Sequence, residues 1–323
     1  MEPCELLELL VDVVARLGEL AATVAGTYGD MLLAVSPWSL QKALGTFIGH
    51  LRDTLGHPRV TSLGEALAAL KDKRGATWAH VRDAASTWRD LVATFEDSWD
   101  RLSREATELR DTCRDTATRE ITTAATANTW AGDLWVKEKG WEKSRHSLVA
   151  EVWQLPLVRD KEKMASAITE YDARMEAAAN EEQAATKAME EAVVASSMAG
   201  AATKRGQRAE AALGPLERLV AACDKATAFP QELLRRLRAI QASLEGMSPT
   251  ADVPNSLVAA VAEAEQVWNA STCLVSDHLL GTIGDIRALL SSVPAVPGGP
   301  TGHAVAMQCQ KAVEAIPKLL RGQ

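Results

Sequence analysis

A strict three-four rhythm of apolar residues constrains this chain more than any other feature. It reads Trp78, Val81, Ala85, Trp88, Val92, Phe95, Trp99, Leu102, Ala106, Leu109, Cys113. Every step is three or four residues, the spacing of a helix that packs lengthwise along another helix. A second run reads Met164, Ile168, Tyr171, Met175, Ala178, then Ala185, Met189, Ala192, Ser196, Ala199, with one polar interruption at Glu182. The expected packing seam is therefore Trp78, Trp88, Val92, Phe95, Trp99, Leu102 and Leu109 on one helix, and Met164, Ile168, Tyr171, Met175 and Met189 on the other.

Composition points the same way. Alanine crowds the stretch from Ala165 to Ala212, Tyr and Phe together number only five, and β-branched residues form no alternating runs. All of this favours helix over sheet. Apolar residues make up 47% of the 323, enough to build a core. The expected fold is all-α: an elongated helical bundle with long, antiparallel, coiled-coil-like helices.

Boundaries follow from breakers and caps. Residues 1–58 form an N-terminal helical segment, with an apolar stripe over Leu6, Leu9, Leu10, Val13, Val14, Leu17 and Leu20. Ser36-Pro37 opens its second helix and Gly56-His57-Pro58 ends it. Ser62 and Glu65 make a capping box. Residues 59–213 form a long helical hairpin, whose first arm would span on the order of 100 Å if continuous. Its turn is placed near 130–156, where Gly132, Gly140 and Pro156 accompany four tryptophans. Gly214-Pro215 ends the second arm. Further bundle helices fill 214–290, and 291–323 hold a Pro/Gly loop and a short C-terminal helix. All four segments are expected to form one continuous domain.

Chemistry is hard to find in this sequence. No Gly-Lys pair exists, so there is no P-loop, and Gly281-x-x-Gly284 lies in a helical pattern with no strand before it. The six histidines are scattered, with no HExxH and no Glu-x-x-His pair. The five cysteines, Cys4, Cys113, Cys223, Cys273 and Cys309, form no CxxC and read as buried or idle thiols in a reducing compartment. Asn269-Ala270-Ser271 fits a glycosylation acceptor by chance. No catalytic, cofactor-binding or metal-ligating residue is assigned, and the chain is not expected to be an enzyme.

Two surfaces are docking candidates. Trp130, Trp135, Trp141 and Trp153 interleave with Lys137, Lys139, Lys143 and Arg145. Tryptophan suits membrane interfaces and binding hot spots, and lysine attracts anionic lipid. Acids Asp133, Glu138, Glu142 and Glu151 dilute that charge, and the competing fate for the tryptophans is the end of a bundle core. Arg235, Arg236 and Arg238 flank an apolar helical stripe and suit phosphates or an acidic partner.

A net charge of −8 argues against nucleic-acid binding. The start is acidic, without a signal-peptide pattern, and no stretch approaches the ~18 apolar residues of a membrane span. The expected location is the cytoplasm, peripheral to a membrane if the tryptophan segment binds one. Long antiparallel helices of this size resemble those of BAR-type membrane-curving dimers, spectrin-like bundles and helical pore-forming toxins, in architecture only. The chain reads as a non-enzymatic intracellular scaffold or adaptor that acts through helix–helix contacts with protein partners and self-associates as a homodimer. The alternative is a membrane-associated helical protein, BAR-like or bilayer-inserting, that uses the Trp/Lys-rich tip on an anionic membrane.

Overall fold

The computed structural model describes residues 2–26, 39–57, 62–72, 76–154, 161–248, 252–291 and 301–322. Among them every regular element is helical: α1 (Pro3–Gly26), α2 (Ser39–Leu55), α3 (Ser62–Lys71), α4 (Trp78–Trp153), α5 (Lys161–Ala226), α6 (Ala228–Glu245), α7 (Asn255–Leu274), α8 (Leu280–Ser291) and α9 (Gly302–Leu319). A π-helical turn, Val275–Leu279, joins α7 to α8. The all-α bundle class holds. The cap expected at Ser36-Pro37 and most of the expected Pro/Gly loop after Ser291 lie outside the described residues.

Two expected breaks are not breaks. Helix α4 runs unbroken to Trp153, so the tryptophan segment is helix and not a turn. Its neighbours are Lys, Glu, Ala and Leu, good helix formers, and each glycine costs only about 1 kcal/mol against them. Helix α5 likewise passes through Pro215. Proline removes one hydrogen bond and crowds the preceding residue. Here that residue is Gly214, which has no side chain to crowd, and the next turn is anchored by the buried Leu216 and Leu219.

The chain forms two compact units, Met1–Arg114 with Glu210–Gln323, and Asp115–Ala209. This division cuts across the segments expected from sequence.

In the first unit α1 is buried on nearly every side. Leu6, Leu7, Leu10, Val13, Val14, Leu17 and Leu20 are fully enclosed, chiefly by α8 and α9. The α1–α9 crossing is close: a Cβ on Gly302 would lie 2.6 Å from Cβ of Ala22, and one on Gly18 would lie 2.4 Å from Cγ1 of Val305. Trp78, Trp88, Val92, Phe95, Trp99, Leu102 and Leu109 of α4 are all buried in this unit. Phe95 packs edge-on against Phe229 of α6 and Trp268 of α7, at centroid distances of 5.9 and 5.8 Å. Trp99 Nε1–H donates to the carbonyl of Cys223, 3.0 Å away.

His57 completes this cluster. Its ring lies 4.3 Å from that of Trp268 and 5.0 Å from that of Phe95, and its Nε2 is 3.2 Å from Oγ of Ser271. Burial among these groups lowers its pKa to about 4.

Candidate functional site

The second unit, residues 115–209, is a pair of antiparallel helical stretches from α4 and α5. Three ion pairs fix their register: Glu120–Arg205 at 2.9 Å, Arg145–Glu182 at 3.6 Å and Glu151–Arg174 at 3.0 Å. As one helix advances the other retreats by nearly the same number of residues.

The buried seam of α5 is built from small residues. Ala178, Ala185, Ala188, Ala192, Ala195, Ala199, Ala202 and Ala209 are enclosed, as is Gly206. From Ala185 onward they step by three or four. Facing them on α4 are Ala117, Ala124, Ala127, Ala131 and Leu134. Alanine on alanine brings the backbones close. A Cβ placed on Gly206 would lie 3.2 Å from Cγ1 of Ile121 and 3.5 Å from its backbone nitrogen.

This corrects the expected seam of α5. Met164, Ile168, Tyr171, Met175 and Met189 are exposed, not packed between the helices. The expected row contains true seam positions at Ala178, Ala185, Ala192 and Ala199. Its other members lie on the flank, where the side chains are larger and catch the eye first. A seam this narrow has no room for methionine between the two backbones.

The unit is thus small inside and large outside. Among the described residues, every exposed large apolar side chain except Met307 and Val313 lies within 115–209. Trp153 is 84% exposed and Val136 71%. Trp130 and Trp135 also face outward, while Trp141 is half-buried. Lys137, Lys139 and Lys143 are exposed beside them. Arg145 is drawn into its ion pair with Glu182.

The α4 threonines reinforce this outward apolar character. Thr122, Thr123, Thr126 and Thr129 each donate their hydroxyl to the carbonyl four residues earlier, at 2.9–3.0 Å. Those hydroxyls are satisfied within the helix.

The second expected docking cluster is largely neutralised. Arg235 and Arg236 both bond Glu232, and Arg236 also reaches Glu263 at 2.5 Å. The two arginines hold the Glu232 carboxyl down at about 2. Arg238 is exposed on the same helix. The three do not form an open basic face.

Among the described residues, no three His, Cys, Asp or Glu side chains converge as metal ligands. Cys113 and Cys309 are pushed up to about 11 and Cys223 to about 12, chiefly by burial. All three remain thiols at neutral pH. No described helix is long and apolar enough to cross a membrane.

No protein family matches this sequence, and no curated protein does. Among solved structures, the soluble triple head mutant of AhlC, from the tripartite α-pore-forming toxin of Aeromonas hydrophila, aligns at a TM-score of 0.41 and 11% identity. That alignment covers 88% of this chain and 98% of AhlC. The pre-pore form of AhlB from the same toxin aligns at 0.32 and 12% identity, over 97% of this chain and all of that one. The SmhB pore of the Serratia marcescens toxin Smh aligns at 0.25 and 11% identity, over 95% and 100%. Scores below 0.5 at such identities establish no shared activity.

Proposed function

We propose that this chain is a non-enzymatic helical protein that docks on a membrane surface through the outward apolar side chains of residues 133–154 and 161–191. One observation carries the reading: the second unit buries chiefly alanine, with Leu134 and Val152, and displays tryptophan, methionine, isoleucine and valine. In water this arrangement wastes apolar surface, because the large side chains that give most burial energy face solvent. Against lipid it is the favourable arrangement, with small residues where helices meet and large ones toward the acyl chains. Charged residues share the outward faces, so the hairpin lies in the interface and does not span it.

The docking chemistry is apolar and aromatic, not basic. Arg145, Arg235 and Arg236 are already paired with carboxylates, and the lysines of 133–191 are interspersed with more numerous acids. Binding should therefore survive on phosphatidylcholine vesicles and change little with salt. The test is co-sedimentation of the full chain with phosphatidylcholine vesicles, beside a variant carrying Trp153→Ala, Met164→Ser and Ile168→Ser. The variant should lose binding while keeping its melting temperature, since all three side chains are exposed. If the unaltered chain ignores vesicles of every composition, the reading falls. The same face then serves helical protein partners as a scaffold would.

A further inference from the structure

A different stretch of the second unit carries an independent inference. Residues 121–132 of α4 contain no charged side chain, and neither do residues 192–203 of α5. The antiparallel register, fixed by Glu120–Arg205 and by the Gly206–Ile121 contact, sets these two stretches side by side. Together they make an uncharged belt about 18 Å long on every side of the hairpin. Ile121, Val193, Val194 and Met198 are each at least half exposed on it. Thr203 bonds the Ala199 carbonyl at 2.8 Å, as the α4 threonines bond theirs, so these hydroxyls ask little of water. Gly132 and Gly200 stand on the belt's outer surface with nothing within 4 Å of the Cβ they lack.

The ends of the belt are charged, with opposite sign. At one end Arg119, Lys204, Arg205 and Arg208 outnumber Asp115 and Glu120. At the other, Asp133, Glu138, Glu190 and Glu191 outnumber Lys137, Lys139 and Lys187. A second copy laid antiparallel across the belt puts each basic end against an acidic end, by one twofold operation that satisfies both at once. A parallel copy opposes like charges. The belt is also little more than half the ~30 Å of a bilayer's apolar core, which fits a protein surface better than a lipid one.

We infer that the uncharged belt of residues 121–132 and 192–203 is the interface of an antiparallel homodimer. It buries Val194 and Met198, which share one side of α5, and the charges at its two ends set its direction.

The test is sedimentation equilibrium of the full chain, whose monomer mass is 34.6 kDa. A concentration-dependent shift to twice that mass is expected. Val194→Glu with Met198→Glu should return the monomer, with an unchanged circular dichroism spectrum because both side chains are exposed. Reversing one end, Lys204→Glu with Arg208→Glu, should weaken the dimer roughly tenfold or more, as like charges then meet. Adding Glu190→Lys with Glu191→Lys to that variant should restore it. A chain that stays monomeric overturns the inference, as does a dimer indifferent to the belt substitutions or one that the second reversal fails to rescue. A monomer whose vesicle binding is lost with Val194→Glu and Met198→Glu would assign the belt to lipid instead. None of these outcomes depends on whether residues 133–154 and 161–191 bind membranes.

Discussion

Gly206 of α5 sits so close to Ile121 of α4 that an added Cβ would stand 3.2 Å from the isoleucine Cγ1 and 3.5 Å from its backbone nitrogen. The isoleucine side chain is 51% exposed and free to swing, but the backbone is not. Gly206→Ala should therefore be tolerated, because better helix propensity offsets a small shift of Ile121. Gly206→Leu forces the helices apart and should cost about 1–3 kcal/mol. Urea unfolding of both variants separates the cases. Equal stability would mean that the helices are not in close contact there.

Two tryptophans of one seam should answer differently to the same change. Trp99 donates its indole N–H to the Cys223 carbonyl, whereas Nε1 of Trp88 is buried with no hydrogen-bond partner among the described residues. Trp99→Phe loses ring volume and also leaves a buried carbonyl with one bond fewer. Trp88→Phe loses volume but removes an unsatisfied donor. The first should cost about 1–3 kcal/mol more than the second, measured by chemical denaturation. The opposite order would exclude the hydrogen bond as a source of stability.

At the α1–α9 crossing, Gly302→Ala puts one methyl against another, 2.6 Å from Cβ of Ala22. An alanine methyl cannot rotate away, so the two helices must separate. We expect a loss of about 1–3 kcal/mol, read as a lower melting temperature. Ala22→Gly in the same chain should recover part of it, and absence of any rescue would place the strain elsewhere.

Acid should weaken the first unit through His57. Its folded pKa is about 4, against an ordinary value of 6.5. The unfolded chain therefore binds the proton more readily. Stability from this group is complete above pH 6.5, falls as pH drops toward 4, and has nothing further to lose below that. The full loss is about 3 kcal/mol. Burial raises the Glu265 carboxyl, which runs the other way, so the comparison is with a His57→Gln variant, not with pH 7 alone. Denaturant titrations at pH 7, 5.5 and 4.5 should show the two proteins converging as pH falls. Parallel curves would count against a buried neutral imidazole.

The α4 rhythm from Trp78 to Cys113 was legible because most buried positions hold a bulky side chain and most exposed ones are polar. The α5 seam was not, because alanine fills buried and exposed positions alike. A pattern drawn from size alone follows Met164, Ile168, Met175 and Met189 onto the flank. The tryptophans at 130–153 suggested a turn since glycine accompanies them, yet two glycines cost less than the surrounding helix formers supply. The docking surface was visible as composition but not as a surface. Exposure depends on where the partner helix lies, and only Glu120–Arg205 and its fellows reveal that. The basic run at 235–238 misled in part for a related reason: Glu263, which pairs with Arg236, comes from the next helix, while Glu232, which pairs with both Arg235 and Arg236, stands one turn earlier on the same helix.

An alanine seam has one more property. It spells the same letter at most contacts, so much of the packed surface looks alike after a shift of one heptad. Steric fit alone then gives α4 and α5 several nearly equivalent settings, like a ruler sliding along an identical ruler. Beside the close approach of Gly206 to Ile121, what marks the zero is charge: Glu120 with Arg205, Glu151 with Arg174 and Glu182 with Arg145. The alignment of this hairpin is written in ions on its outside, and ions, unlike packing, answer to the salt around them.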